Sequence, residues 1–426
     1  MALDQALYEA YIAILKEELV PALGCTEPIA LAYCAASARH VLGEAPRRVR
    51  VQVSGNIIKN VKSVTVPNTG GLKGIQAAVA AGVVAGDEGA ALEVIHTVTP
   101  EKRREIARFL SEIPITVEPM DNCALLDMIV TVYAGAHEAS VRISHSHTHI
   151  ARIERDGEVL LCEDGALPGD APALDYGALS VEGICEFAAL VDIADVREVL
   201  DRQIACNTAI AAEGLKSHWG ADIGNVLLET YGSGDVRIRA RAMAAAGSDA
   251  RMSGCEMPVV INSGSGNQGL TVSLPVIEYA KAYHKSQDEL YRALVVSNLC
   301  AVHQKTAIGK LSAYCGAVTA GSAAGAGVAY LLTGDVKTVC HTIVNALAIV
   351  SGIVCDGAKP SCAGKIASAV DAGILGFEMY LKGRQFYGGD GIISKGIENT
   401  IRNVGELGRD GMRETDRKIL QIMTRC

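Results

Sequence analysis

The 426-residue chain is 49% hydrophobic yet only 4% aromatic, and it carries 44 glycines, so its core must be built from small and β-branched side chains. Its length exceeds that at which a single core usually stops growing, which predicts two domains. The net charge is −9 with Lys and Arg scattered along the chain, which argues against a nucleic-acid partner.

Thirteen cysteines without a basic-then-apolar opening point to a reducing compartment, with thiols used for metal or catalysis instead of disulfides. The expected location is cytoplasmic. The uncharged runs near 316–334 and 339–355 are rich in small residues and lack aromatic flanks, so no membrane span is expected.

In chain order, Leu3, Leu7, Ala10, Tyr11, Ile14 and Leu15 share one face of a helix over 3–15, stopped by Pro21. Gly24-Cys25-Thr26-Glu27-Pro28 forms a turn that presents Cys25 ahead of a second helix over 29–42. A thiol just before a helix feels the positive end of the dipole, which predicts a lowered pKa. Alternation over 47–66 around Ser54-Gly55-Asn56 reads as a strand or hairpin. A helix near 72–86, a strand near 92–98, a helix over 100–112 and strands near 114–119 and 125–133 follow. Residues 142–154 alternate again and place His145, His147 and His149 on one face of a strand, a spacing that could bind zinc but has no cysteine or carboxylate in the run to complete it; they read as polar-face residues with one in reach of a substrate. The Gly/Pro/Asp-rich stretch 155–180 reads as a boundary.

From 181 onward the pattern is helical: 181–190, 193–213, 221–232, 236–250, 275–282, 287–309, then 316–334 and 339–354. The predicted class is α+β. A largely helical catalytic domain comprises 1–44 and 181–426, and a smaller mixed α/β domain comprises 45–180. Helices this rich in Gly and Ala are of the kind that pack across dimers, so a homodimer is a candidate assembly. The helical run is interrupted at Asn262-Ser263-Gly264-Ser265-Gly266-Asn267-Gln268-Gly269, a Gly/Ser loop whose free N–H groups suit a small carboxylate. It lacks the Lys-Ser/Thr of a phosphate-binding loop.

Cys315, Cys355 and Cys362 follow the spacing Cys-x39-Cys-x6-Cys, with Asp356, Gly357, Pro360, Ser361 and Gly364 marking loops. The two apolar runs between the first and second cysteine read as packed helices that bring these loops together. Three thiols so placed could hold three irons of a cubane, or be three separate buried thiols; spacing leaves both open. Cys426 pairs a thiol with an α-carboxylate, as free cysteine does, and is a candidate fourth cluster ligand.

Gly24-Cys25-Thr26-Glu27-Pro28, Ser54-Gly55-Asn56-Ile57-Ile58-Lys59-Asn60, the 262–269 loop and the three-cysteine spacing together resemble the L-cysteine desulfidases, which belong with the iron–sulfur L-serine dehydratases. The resemblance runs along essentially the whole chain. It implies a [4Fe–4S] cluster on Cys315, Cys355 and Cys362, and Cys25 as the catalytic base. It further implies elimination of hydrogen sulfide from a small amino acid, L-cysteine, giving pyruvate and ammonia. Glu27 would orient Cys25 or hold the ammonium, and Asn56, Ser265, Asn267, Gln268 and Lys365 are candidates for the carboxylate. Two departures from the serine enzymes stand out: the loop reads Asn-Ser-Gly-Ser-Gly-Asn-Gln-Gly, and Leu311-Ser312 stands where many of them have Gly-Gly-Cys-Gln. The rival readings are the same chemistry on serine, a pyridoxal-phosphate lyase using the 263–269 loop, and a non-catalytic iron–sulfur sensor.

Overall fold

The computed structural model describes residues 4–120, 123–163, 174–309 and 312–425. Leu3, Leu311, Cys426 and part of the 155–180 stretch, all singled out above, lie outside these. The chain opens with α1 (Gln5–Glu18), β1 (Pro21–Leu23) and α2 (Thr26–Leu42). A mixed unit follows: β2 (Arg48–Ser54), α3 (Gly55–Val61), α4 (Gly74–Ala85), α5 (Pro100–Glu112), β3 (Ile115–Met120), β4 (Asp127–Ala134), β5 (His137–Ser144), β6 (Ile150–Arg155) and β7 (Glu158–Cys162). The rest is helical apart from β8: α6 (Val181–Leu190), α7 (Ile193–Lys216), α8 (Ile223–Tyr231), α9 (Val236–Met252), β8 (Pro258–Val260), α10 (Gly266–Ala282) and α11 (Gln287–Ile308). It ends with α12 (Gly316–Thr333), α13 (Val336–Val350), α14 (Cys362–Leu381), α15 (Ile397–Glu406) and α16 (Arg413–Thr424). This is an α+β protein.

The sheet runs in the order β3-β2-β4-β5-β6-β7, with β2 and β3 parallel and every other pair antiparallel. Val49, Val51 and Val53 alternate into its buried face. That face is covered by α2, which is buried nearly all round because α4 lies on its other side. Gly82 makes the α2–α4 contact possible: a Cβ there would sit 2.1 Å from the Ala32 carbonyl oxygen. The first 44 residues therefore divide between two cores rather than staying with the helical part. Tyr11, Ile14 and Leu15 of α1 bury in the helical core, and Ile29 and Leu31 of α2 bury with the sheet.

Small residues shape the helical part. Cβ atoms at Gly321 and Gly325 would strike the backbone of Ala369 and Gly373, at 2.4 and 2.5 Å. The two contacts advance four residues along each helix, so α12 and α14 run parallel at backbone contact, with their N-termini at one end. The loop entering α12 meets the loop leaving α13 there. Cys315 N–H donates to the Ile353 carbonyl (3.1 Å), Cys355 N–H donates to the Ala313 carbonyl (2.6 Å), and Tyr314 bridges Val354. Helix α12 is long and apolar enough to cross a membrane, but 78% of it is buried inside the protein.

Four sequence expectations are corrected. Of the strand or hairpin read over 47–66, the first part is strand β2, but α3 follows in place of a second strand, because Ser54-Gly55 starts a helix and Val61, Val64 and Val66 bury without pairing across a turn. The strand expected near 92–98 is absent: a 3-10 helix over Glu88–Glu93 runs into a turn in which Val94 and Ile95 are buried, and Asn68 Nδ2 holds the Ile95 carbonyl (2.8 Å). Helix α10 opens at Gly266, well before 275, since the Ser265 hydroxyl caps it. Cys362 and Gly364 sit in the first turn of α14, not in a loop.

Candidate functional site

A cavity of about 550 Å³ lies where the two cores meet, and Cys25, Glu27, Ser265, Asn267, Gln268, Cys315, Cys355, Cys362 and Lys365 all line it. Cys25 stands immediately before α2. Its Sγ donates to Glu27 Oε2 (3.1 Å), Thr26 Oγ1 donates to the same oxygen (3.2 Å), and Asn60 Nδ2 donates to Oε1 (3.0 Å). Both carboxylate oxygens are thus engaged.

These contacts decide the protonation of the pair. Burial, reinforced by the Glu27 charge, pushes the Cys25 thiol well above its ordinary range. The predicted lowering by the helix dipole is therefore overturned, because desolvation of a thiolate outweighs one helix terminus. For Glu27 burial opposes ionisation, but His147, the Cys25 thiol, a backbone N–H and Arg251 outweigh it and lower its pKa. The dyad rests as thiol and carboxylate.

The opposite wall behaves differently. Cys315 and Cys355 face each other from the paired loops, and Cys362 opens α14 with its Sγ toward the Gly357 carbonyl (3.6 Å). A hydrogen bond from Cys315, with Lys59, the Gly357 amide and Lys305, overcomes burial and holds Cys355 well below the usual thiol range. Cys315 shifts well upward, through that same hydrogen bond and burial.

Lys59 is 2% exposed and pairs with Asp416 of α16 (2.5 Å). Lys305 of α11 is 5% exposed, and burial lowers its pKa against the pull of Cys355 and Cys315. Lys365 donates to the Val354 carbonyl (2.8 Å) and to Asp356, bracing the loop that carries Cys355.

The 262–269 loop closes a third side. Asn262 and Ser265 bond each other across a turn whose Ser263 and Gly264 take positive φ (50° and 74°). Asn262 is tied beneath to Asn298 Oδ1 (3.0 Å). Ser265 is engaged as the cap of α10, and the Gln268 side chain lies flat on Gly316, where a Cβ would sit 2.7 Å from its amide carbon.

Asn56 is not brought to the site. It is buried in α3 with Oδ1 unpaired, and Asn60, one turn on, reaches Glu27 in its place. The three histidines do not share a strand face, because β5 ends at Ser144 and β6 begins at Ile150. His145 (φ 67°) and His147 line the cavity from the connecting turn, whereas His149 bonds the Ser144 carbonyl (3.1 Å) and faces Glu163 (3.4 Å). Sequence reasoning missed Lys59, Asn60, Arg251 and Lys305. Lys59 and Asn60 lie in the quoted 54–60 motif; nothing local marks Arg251 or Lys305, which only the fold places here. Among the described residues no three His, Cys, Asp or Glu side chains sit close enough to share one metal ion.

A sequence model of the serine dehydratase alpha chain family matches residues 89–421. The chain belongs to this family. Its members are iron–sulfur-dependent in general, so the chain is an iron–sulfur serine-dehydratase-like protein. It is also 58% identical to a UPF0597 protein of Desulfitobacterium hafniense, over 98% of this chain and 96% of that one. UPF0597 proteins of Lachnoclostridium phytofermentans (52%, covering 98% and 100%) and Treponema denticola (45%, covering 99% of each) match in the same way.

Proposed function

We propose that this chain is a cytoplasmic [4Fe–4S]-dependent L-cysteine desulfidase. It eliminates hydrogen sulfide from L-cysteine to leave aminoacrylate, which water converts to pyruvate and ammonia. The observation that carries the reading is that Cys25, with its Glu27 partner, lines the same cavity as Cys315, Cys355 and Cys362. The donor set suits a cubane better than a single ion. Each thiolate of a cubane binds its own iron, so the sulfurs stand around a volume and need not converge on a point. Lys59 and Lys305 supply positive charge beside the thiolates. Cys315, Cys355 and Cys362 would hold the cluster, which would supply one open iron as a Lewis acid for the departing sulfide.

The protein's own residues account for the proton. Removing Cα–H from an amino acid requires a strong base, and a thiolate whose pKa is raised by burial is a stronger one than free cysteine. It must first lose its own proton, and Glu27 stands 3.1 Å away as the acceptor. Asn60 and Thr26 keep that carboxylate aimed. Cys25 Sγ then takes the Cα proton, the Cα electron pair forms the Cα=Cβ bond, and the Cβ–S bond breaks with sulfide leaving.

The family name favours a second reading, the same elimination on L-serine with water leaving. An anaerobic assay separates them: sulfide and pyruvate from L-cysteine, and pyruvate from L-serine, with iron counted in the same sample. Faster turnover of L-cysteine supports the desulfidase. Turnover of L-serine alone transfers the site to the serine reaction, and iron-loaded protein inert on both removes the lyase reading.

A further inference from the structure

The cavity contains a buried cation that pairs with no carboxylate among the described residues. Arg251 sits in the last turn of α9, where the helix dipole favours positive charge, and it is only 3% exposed. Its Nη1 donates to Asn267 Oδ1 (3.2 Å), while its Nε is buried without a partner. The guanidinium lies against the first residue of α10, for a Cβ at Gly266 would fall 2.3 Å from Nε. Among the described residues no carboxylate is within ion-pair distance of it, and Nη2 takes no hydrogen bond. Glu27 feels its charge, but both Glu27 oxygens are occupied by Cys25, Thr26 and Asn60.

A buried guanidinium with one neutral hydrogen bond is costly to maintain, and what relieves it is an anion. Its fork matches a carboxylate, and it borders the same cavity as the Cys25 thiol. We propose that Arg251, held in place by Asn267 and Gly266, binds the α-carboxylate of the substrate and so presents Cα–H to Cys25. This rests on the amino-acid lyase reading and adds its selectivity: the site takes α-amino acids with a free carboxylate and discriminates against their amides and the corresponding amines. Gly266 has a role here that its place in a Gly/Ser loop does not reveal, since any side chain would displace the guanidinium.

The test uses the iron-loaded, full-length protein under anaerobic conditions. Binding of L-alanine, which has the carboxylate and ammonium but no leaving group, is compared by calorimetry with binding of L-alaninamide. In parallel, kcat and KM are measured for L-cysteine and for cysteamine. The wild type should prefer L-alanine. Arg251→Gln should weaken L-alanine by about 10- to 100-fold, leave L-alaninamide nearly unchanged, and raise KM for L-cysteine more than it lowers kcat. Arg251→Lys should recover only part of the loss. Asn267→Asp answers for the case in which losing Arg251 disturbs folding. It gives the guanidinium an internal carboxylate, so melting temperature should hold or rise while L-alanine binding weakens. An Arg251→Gln protein, folded and iron-loaded, that keeps the wild-type ratio of alanine to alaninamide overturns the proposal, as does an Asn267→Asp protein with undiminished affinity. If the wild type turns over neither cysteine nor serine, the lyase reading fails, and the alanine and alaninamide titrations still decide the role of Arg251.

Discussion

Cys25 and Cys355 line the same cavity, and the protein treats their thiols in opposite ways. On the sheet side, burial and an ionised Glu27 keep the proton on Cys25. On the helical side, a thiol donor and two lysines draw the proton off Cys355. The residue type is identical and both thiols are buried, so the difference lies in what each sulfur meets: Cys355 accepts a hydrogen bond from Cys315 beside two lysines, whereas Cys25 donates to a carboxylate. A metal ligand binds as a thiolate and releases its proton as the metal arrives. Cys355 does so more readily than Cys315, raised by its hydrogen bond to Cys355 and by burial, or Cys362, raised by burial. A base for a carbon acid instead gains strength from a high pKa. Both cores contribute to the cysteine wall, since Cys315 packs with the helical core, Cys362 with the core that holds Cys25, and Lys59 reaches Cys355 from α3.

The largest expected effect follows from breaking the helical wall. Cys355→Ala should bring bound iron and sulfide to background, with turnover at the limit of detection, while circular dichroism stays that of the wild type. Iron and acid-labile sulfide analysis checks it, and an active variant without iron contradicts the cluster assignment. Breaking the other wall should separate iron from activity. Cys25→Ala should keep its iron and lose about 10²–10⁴-fold in kcat, the contribution of one placed base. Full turnover without the Cys25 thiol would end its part in the reaction.

Glu27→Gln sharpens the comparison by removing the charge and keeping the shape. The thiol proton then has no carboxylate to move to, and kcat at neutral pH should fall on the order of 10²-fold. The pH profiles should differ in slope. In the wild type Glu27 stays ionised until pH falls below the ordinary carboxyl range, since its pKa is lowered, so no acid limb from Glu27 is expected above about pH 5. In the variant, thiolate forms only by ionisation of Cys25. Loss of the Glu27 charge brings that pKa down, yet burial, the larger cause, still holds it up. Activity should therefore climb about tenfold per pH unit through the neutral and mildly alkaline range. A flat profile for the variant would mean that Glu27 does not receive the proton. The same shift carries a stability term: Glu27's lowered pKa stabilises the fold above the ordinary carboxyl range, and this is lost as pH falls through the folded value.

Much of this was legible because local chemistry and fold agreed. The Gly-Cys-Thr-Glu-Pro turn, the loops carrying Cys315 and Cys355, and most helices after Val181 carry their signals within a few residues. What was not legible depended on distance along the chain. Arg251 and Lys305 look like ordinary helix cations until α9 and α11 are packed against the cavity. The direction of the Cys25 shift was missed for a related reason: a helix N-terminus can be read from sequence, but the burial that outweighs it cannot. The histidine run failed on periodicity. Alternation over 142–154 fits one strand as well as two strands joined by a turn, and the positive φ of His145 shows the chain taking the turn.

The smallest effect expected concerns two asparagines one turn apart in α3. Asn60 donates to Glu27 Oε1 within the buried dyad, so Asn60→Ala frees that oxygen and weakens the grip on the carboxylate. A hydrogen bond to a charged group contributes about 1.5–3 kcal/mol, and part of it is spread over the Thr26 and Cys25 contacts that remain. Turnover should drop by roughly tenfold, with the loss growing as pH falls because Glu27 then protonates more easily. Asn56 looks equivalent in sequence, but its Oδ1 is buried without a partner and it does not line the cavity. Asn56→Ala removes an oxygen that already bears its desolvation cost, so stability should change by no more than about 1 kcal/mol and kcat/KM should stay at the wild-type value. If the two variants lose activity equally, α3 as a whole sets the geometry of the base; if only Asn60→Ala does, a single side chain aims Glu27.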